Sequence, residues 1–268
     1  MIKNGAASLM VRLLHLPRAA SAPTYPRRRH HLALLPSLRL RVPAPAAAAA
    51  MSSAAAAQEV ADQKRALRSE VRRALRALTP EQRASEDQAI QNAILNSSWF
   101  KESKRLCAYI SCAQLREVDT SKVLSEVLSP NSEHGHAKDL YVPRVEDKNR
   151  NMRMLKITTM DDLVKNSMNI LEPSPLDASG NAREEGQAFD RTGRRLGRGG
   201  GYYDTFLMRY QELAKEKGWD QPLLVALSYS VQILEEGIIP VNSTDVPIDA
   251  LVSSSGIIPI SPAALARI

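Results

Sequence analysis

Hydrophobic positions along the chain follow helical spacing in some segments and strand spacing in others. Over residues 58–78, apolar residues recur every three or four positions and basic residues fill the surface between them, which predicts a long basic helix. The sequence TPEQ at residues 79–82 has the form of a capping box with proline at the first helical position, and it predicts a second helix running to about Leu95. A helix beginning near Tyr202 would place its apolar residues on one face and end at Gly218.

Short apolar runs predict the strands. They cover residues 105–111, 140–143, 152–157, 223–227 and 250–253. A further helix is expected over residues 121–128. Strands that alternate with helices predict an α/β fold, and we expect a three-layer sandwich with a mixed, mostly parallel sheet and helices on both faces.

A glycine-rich loop before Tyr202 has the composition of a phosphate-binding site. Residues 193–201 contain five glycines, and Arg194, Arg195 and Arg198 stand among them. Glycines allow backbone N–H groups to approach an anion closely, and the following helix would direct its positive end to the same place. The alternative is a flexible linker, but the arginines, the paired tyrosines and the amphipathic helix favour phosphate binding. The usual Gly-Lys-Ser/Thr ending and a dinucleotide fingerprint are absent.

One strand is missing from this pattern. A phosphate-binding loop in an α/β protein normally follows a buried strand, whose carboxyl end holds the loop. Residues 172–189 contain no apolar run of strand length, and Glu185 abuts Gly186 as if roughly a dozen residues had been removed. We therefore expect a sheet strand to be absent before Gly186, through alternative splicing or a gene-model omission.

Composition divides the chain near residue 57. Residues 1–58 contain eight basic residues and no acidic ones, and they are rich in arginine, serine and alanine. This composition predicts a disordered transit peptide over residues 1–57, followed by a single domain over residues 58–268. We expect a mitochondrial destination, with a plastid as the alternative and a cytosolic form if translation starts at Met51. No apolar stretch is long enough to span a bilayer, so no membrane partner is expected.

Charge and reactive side chains argue against nucleic-acid binding, a disulfide bond and a histidine metal site. Taking the eight basic residues of the presequence from the 36 in the chain leaves 28, against 29 acidic residues. The body therefore has no basic excess, and no nucleic-acid partner is expected. Cys107 and Cys112 are placed too far apart along one strand to form a disulfide, which indicates a reducing compartment. His134 and His136 indicate a solvated loop rather than a metal site.

The sequence RLGRGGGYYD, with FDRTG just before it, resembles the signature of the 5-formyltetrahydrofolate cyclo-ligase family, also called 5,10-methenyltetrahydrofolate synthetase. The similarity extends to KRALRSEVRRAL near Lys64, to residues 105–120, to YVPRV at Tyr141 and to PVNSTDVPIDALV, and it covers nearly everything after residue 57. The family commonly has lysine at the position of Gly200. The resemblance implies a monomeric enzyme that uses ATP and Mg²⁺ to close 5-formyltetrahydrofolate to 5,10-methenyltetrahydrofolate, with release of ADP and phosphate. Phosphoryl transfer of this kind needs positioning and cations rather than catalytic histidines.

The resemblance also implies the site residues. The implied nucleotide contacts are Lys64, Arg68, Arg195, Leu196, Gly197, Arg198, Gly199, Gly200, Gly201, Tyr202 and Tyr203. The implied folate contacts are Ile110, Glu117, Arg198, Gly199, Gly200, Gly201 and Tyr202. Asp204 and Asp245 match the magnesium carboxylates, and Arg198 and Tyr202 are the expected catalytic residues.

Five of these residues also have a plainer interpretation. Lys64 and Arg68 have the spacing of a solvated basic helix face. Asp204 has the position of a first-turn residue favoured by the helix dipole. Tyr202 and Tyr203 either stack on a flat ring or only pack the helix. Two other functions stay open: a phosphotransferase acting on another small molecule, and an inactive or weakly active isoform of the cyclo-ligase.

Overall fold

The chain forms six α-helices and nine strands within the residues that the computed structural model describes, which are 8–13, 46–129, 138–167, 169–182 and 200–268. The helices are α1 (Ala46–Ala77), α2 (Pro80–Asn96), α3 (Ser98–Glu102), α4 (Ser121–Leu128), α5 (Tyr202–Lys217) and α6 (Pro262–Leu265). The strands are β1 (Ser8–Leu13), β2 (Arg105–Cys107), β3 (Asp139–Val145), β4 (Met152–Ile157), β5 (Leu163–Lys165), β6 (Leu171–Pro173), β7 (Leu223–Leu227), β8 (Ala250–Ser253) and β9 (Gly256–Pro259). His134, His136 and the junction at Glu185 lie outside the described residues.

Seven strands form one mixed sheet in the order β4-β3-β2-β1-β7-β8-β9, and β5 pairs with β6 in a separate hairpin. Within the seven-stranded sheet, β2 is parallel to β3 and β7 is parallel to β8, whereas the other four pairs are antiparallel. The α/β class and the mixed sheet are therefore confirmed, but the prediction of a mostly parallel sheet is wrong. The reason is that β4 and β9 return beside β3 and β8 through short turns, which forces antiparallel pairing, and β1 is antiparallel to both neighbours.

Side chains of the sheet alternate between two buried clusters. On β7, Leu223, Val225 and Leu227 lie in one cluster with residues of α1, α2 and α4, whereas Leu224 and Ala226 lie in the other with residues of α5. This alternation follows from the two-residue period of a strand. Residues of α1, α2 and α4 thus share a cluster with one set of β7 side chains and residues of α5 with the other, and β7 is buried at all five positions.

Helix boundaries follow local capping chemistry. The Gln82 N–H donates to Thr79 Oγ1 at 3.2 Å and the Thr79 N–H donates to Gln82 Oε1 at 2.9 Å, which confirms the predicted capping box. The helix predicted from Tyr202 is also confirmed, and it ends at Gly218 with φ of 65°. The first helix differs from the prediction because it begins at Ala46. Alanine has the highest helix propensity, and the alanine-rich sequence before residue 58 extends the helix into the segment expected to be disordered.

A strand from the beginning of the chain lies in the middle of the sheet. β1 pairs with β2 on one side and with β7 on the other, so that Val11 lies opposite both Cys107 and Leu224. This too differs from the disorder expected over residues 1–57. The expected absence of a strand concerns residues 172–189. Of these, the described residues 172–182 contain the end of β6 and an isolated bridge between Leu176 and Ala182, and residues 183–189 lie outside the described part of the chain.

The segment after β2 leaves the sheet earlier than predicted. The strand ends at Cys107 rather than near residue 111, and residues 108–120 form a loop closed by its own hydrogen bonds. The Tyr109 hydroxyl donates to the Val118 carbonyl at 2.7 Å, and the Thr120 hydroxyl donates to the Tyr109 carbonyl at 3.0 Å. Cys107 and Cys112 are both free thiols, as predicted.

Candidate active site

A buried ion pair joins the first helix to the loop before β8. Lys64 of α1 is only 7% exposed, and its Nζ donates to Asp245 Oδ2. The same carboxylate oxygen accepts the Asn242 N–H at 2.8 Å. The interpretation of Lys64 as part of a solvated basic face is therefore wrong, because its charged end lies in the interior against a predicted magnesium carboxylate.

Arg68 and Asp204 lie at the same place. Arg68 follows Lys64 by one helical turn, and burial, together with the neighbouring Arg72, lowers the pKa of its guanidinium, while the carboxylates of Asp245 and Asp204 oppose that shift. Asp204 stands in the first turn of α5, and its Oδ1 accepts the Val246 N–H at 3.2 Å. Two cations from α1 and two carboxylates from distant segments are thus brought together.

This donor set suits magnesium. Mg²⁺ in nucleotide sites is typically held by one or two protein carboxylates, with substrate phosphates and water completing its coordination. Asp204 and Asp245 could supply that number of hard oxygen ligands, and Lys64 and Arg68 could supply positive charge for phosphate oxygens. Within the described residues there is no group of three or more His, Cys, Asp or Glu side chains that could hold a metal ion.

The end of the glycine loop is shaped by two glycines and a tyrosine. Gly201 has φ of 72° and precedes α5, a conformation that side chains with a Cβ rarely adopt. A Cβ on Gly200 would lie 2.9 Å from a ring carbon of Tyr202, and one on Gly201 would lie 3.3 Å from Nε of Arg150. A lysine at position 200 would therefore require the Tyr202 ring to move.

Tyr202 and Tyr203 pack against the sheet. Both are partly buried against the cluster that contains α5 residues, and the Tyr202 hydroxyl donates to the Asp147 carbonyl in the turn between β3 and β4 at 3.0 Å. That turn also contains Arg150, which the sequence did not single out. The predicted loop residues Arg195, Leu196, Gly197, Arg198 and Gly199 lie outside the described part of the chain.

Two of the predicted folate residues, Ile110 and Glu117, lie on the 108–120 loop. Ile110 is partly buried against the core cluster on the α1 and α2 side. The Glu117 carboxylate accepts the Cys112 N–H through Oε2 at 2.9 Å, which draws the ends of the turn together. Glu117 is therefore held within its own loop, on a different segment from the Lys64 and Asp245 pair.

A buried tyrosine and an aspartate support the backbone of Glu117. Tyr229 is fully buried, and its hydroxyl lies 2.8 Å from Asp87 Oδ1 and 3.1 Å from the Glu117 carbonyl. Asp87 Oδ1 also accepts the Asp119 N–H at 2.9 Å. Burial raises the pKa of Asp87, and burial together with the Asp87 hydrogen bond raises the pKa of Tyr229. No local sequence pattern indicates this network, because its members stand far apart along the chain.

Comparison with known proteins identifies the family. Residues 60–254 match the model of the 5-formyltetrahydrofolate cyclo-ligase family. The chain is 61% identical over 216 residues to the mitochondrial 5-formyltetrahydrofolate cyclo-ligase of Arabidopsis thaliana, covering 75% of this chain and 78% of that protein. It is 30% identical over 210 residues to the 5-formyltetrahydrofolate cyclo-ligase of Mus musculus, covering 72% and 95%. The chain belongs to the 5-formyltetrahydrofolate cyclo-ligase family, and the resemblance noted in its sequence is confirmed.

A solved structure shares the fold. The NMR structure of Aquifex aeolicus 5,10-methenyltetrahydrofolate synthetase is similar with a TM-score of 0.51 and 23% sequence identity, over 75% of this chain and 92% of that one. The overall fold is thus shared with that protein. The expectation of an enzyme of folate one-carbon metabolism, a ligase, is confirmed at the level of the family.

Proposed function

We propose that this chain catalyses the ATP-dependent closure of 5-formyltetrahydrofolate to 5,10-methenyltetrahydrofolate, with release of ADP and phosphate. The observation that carries this proposal is the convergence of Lys64, Arg68, Asp204 and Asp245 from three separate segments beside the end of the glycine loop. We further propose that the fold is a three-layer sandwich, which the two core clusters on either side of β7 support. We also propose that the protein is a monomer.

The reaction needs an activated formyl oxygen. The formyl oxygen attacks the γ-phosphorus of ATP and ADP leaves; N10 then attacks the formyl carbon, loses its proton, and phosphate departs with the former formyl oxygen. Lys64 and Arg68 would offset the negative charge of the phosphates, and Asp204 and Asp245 would hold Mg²⁺, which when bound neutralises phosphate charge. Arg198 and Tyr202 remain the predicted catalytic residues.

The folate would lie against the 108–120 loop. Ile110 offers a partly buried apolar side chain and Glu117 a carboxylate that can accept hydrogen bonds from a pterin ring. Gly200 and Gly201 lie close to the side chains of Tyr202 and Arg150, and they place no side chain of their own between the backbone and a substrate. We therefore propose that the folate contacts Ile110, Glu117 and the end of the glycine loop.

The proposed reaction is tested with the purified chain, 5-formyltetrahydrofolate and magnesium ATP. We expect methenyltetrahydrofolate, followed by its absorbance, to form only when both substrates are present, with one ADP for each product. Release of ADP with another small acceptor, and none with the folate, would instead support the phosphotransferase alternative.

Tyr229→Phe is expected to weaken folate binding and to leave nucleotide binding unchanged. The substitution keeps the buried ring but removes the hydroxyl that supports the Glu117 carbonyl. A hydrogen bond of this kind contributes about 0.5–1.5 kcal/mol, so the Kd for 5-formyltetrahydrofolate should rise roughly threefold to tenfold. Isothermal titration with the folate and, separately, with magnesium ADP measures the two affinities.

Tyr210→Phe is the matched control for this substitution. Tyr210 is also buried but belongs to the cluster on the α5 side, where burial raises its pKa to about 12. We expect this variant to bind the folate as tightly as the parent chain. Equal loss of folate and nucleotide affinity in Tyr229→Phe would show a general packing role and contradict the positioning of Glu117.

We propose that residues 1–57 direct the chain into mitochondria, which the acid-free sequence and the mitochondrial relative in Arabidopsis thaliana support. A fluorescent reporter fused behind residues 1–57 should collect in mitochondria, and the same reporter fused behind residues 51–57 should stay in the cytosol. Plastid fluorescence or uniform cytosolic fluorescence of the longer fusion would overturn the proposal.

In the described residues no helix is both long and apolar enough to cross a bilayer. We propose neither a membrane nor a nucleic-acid partner.

A further inference from the structure

The central position of the large sheet is occupied by a strand that lies far from the rest of the domain in sequence. Ser8 to Arg12 lie opposite Leu227 to Leu223 of β7, and Val11 to Leu13 lie opposite Cys107 to Arg105 of β2. In the described sheet β2 and β7 do not pair with each other. β1 is therefore what joins β4-β3-β2 to β7-β8-β9.

The strands on both sides of this position have the character of interior strands. All five residues of β7 are buried, and Leu106 and Cys107 of β2 are 0% and 1% exposed. Backbone N–H and C=O groups at such a depth need hydrogen-bond partners, because water does not reach them. Without a strand between them, β2 and β7 would present two apolar edges with unpaired backbone groups.

We propose that residues 8–13 form an interaction segment whose binding site is the gap between β2 and β7, so that closure of the sheet depends on keeping this segment with the domain. The sequence SLMVRL has one charge and is otherwise mostly apolar, which suits a position covered on both sides. The segment that fills this gap is residues 8–13 of the same chain. β1 and α1 are separated by residues 14–45 in the sequence, and a chain of that length spans up to about 100 Å when fully extended.

Folding of the domain would then depend on whether the N-terminal segment is kept or removed. Residues 8–13 belong to the segment proposed as an import signal, so a chain that starts at Met51, or one cut after import, loses the strand that closes the sheet. This consequence does not depend on the folate reaction, and its test uses backbone protection and stability rather than turnover.

Hydrogen exchange of the full chain tests the proposal directly. Amides of residues 8–13 and of β7 should exchange slowly, and Val11→Pro should speed exchange in both segments and lower the melting temperature. Proline removes an N–H and fits poorly in a strand that is paired on both sides, as Val11 is. Ala33→Pro, in the segment between β1 and α1, is the matched control and should change neither measurement.

A second measurement covers the case in which Val11→Pro fails to fold. A protease site placed between residues 23 and 24 of the full chain is cut after purification, and the products are separated by size. We expect the N-terminal fragment to stay with a monomeric domain and to leave only when the domain unfolds. Release of the fragment with an unchanged melting temperature, equal exchange in the parent and Val11→Pro chains, or exchange of the segment between two copies would each overturn the proposal.

Discussion

Asp245→Ala is expected to destabilise the domain strongly and to abolish the response to magnesium. The substitution leaves the buried Lys64 ammonium without the carboxylate to which it donates, and it removes a charge that favours the ionised Arg68. Removing one partner of a buried ion pair typically costs about 3–5 kcal/mol, because an unpaired charge stays in the interior. Urea unfolding measures the loss, and titration of nucleotide affinity with magnesium measures the response to the metal.

An exposed ion pair of the same chemistry provides the control. Lys156 Nζ lies 2.8 Å from Asp139 Oδ1, with side chains 30% and 36% exposed, whereas those of Lys64 and Asp245 are 9% and 14% exposed. Asp139→Ala should cost under about 1 kcal/mol, because solvent screens exposed pairs. Combining Lys64→Met with Asp245→Ala should recover part of the lost stability, since no buried charge is then left unpaired. Equal losses in the two alanine variants would show that the Lys64 pair is not a buried one in solution.

Local sequence was sufficient to predict the elements whose structure depends mainly on their own residues. The strands β4, β7 and β8 have the bounds predicted from their apolar runs, and the capping box at Thr79 forms as expected. The three-residue strands β5 and β6 are too short to give a periodic signal, and β9 contains both glycine and proline. The mostly parallel sheet was mispredicted because strand direction depends on pairing between segments, above all on β1, rather than on any run of residues.

The candidate site could be predicted only in part, for the same reason. Lys64 has the same pattern as its solvated basic neighbours, and its burial is decided by Asp245, 181 residues further along the chain. Asp87 and Tyr229 are 142 residues apart and neither stands in a recognisable motif. Family resemblance pointed to Lys64, Arg68, Asp204 and Asp245 together, whereas physical reasoning on each residue alone favoured the plainer interpretation for the basic helix face.

Inserting the corresponding strand of a relative between Glu185 and Gly186 is expected to raise both the melting temperature and the rate of methenyltetrahydrofolate formation. The chain without this strand is expected to form the product, but only slowly. These two residues lie outside the described part of the chain. A strand directly before the glycine loop would be covalently tied to it, and rigid support is what keeps cations and carboxylates at productive distances. Because β1 already pairs with β2 and β7, the gain on insertion should come from tying the strand directly to the loop, and it should be only a part of the ~5–15 kcal/mol stability of a domain.

The inserted strand would compete with β1 for the gap between β2 and β7. Amides of residues 8–13 should therefore lose their protection from exchange in the repaired chain, while those of Leu223–Leu227 stay protected because they gain a new partner. A glycine-serine insertion of equal length is the control, since it lengthens the connection without supplying a strand, and it should raise neither melting temperature nor turnover. If the repaired chain melts and turns over like the original, β1 alone supports a competent sheet, and the missing strand is dispensable for both stability and catalysis.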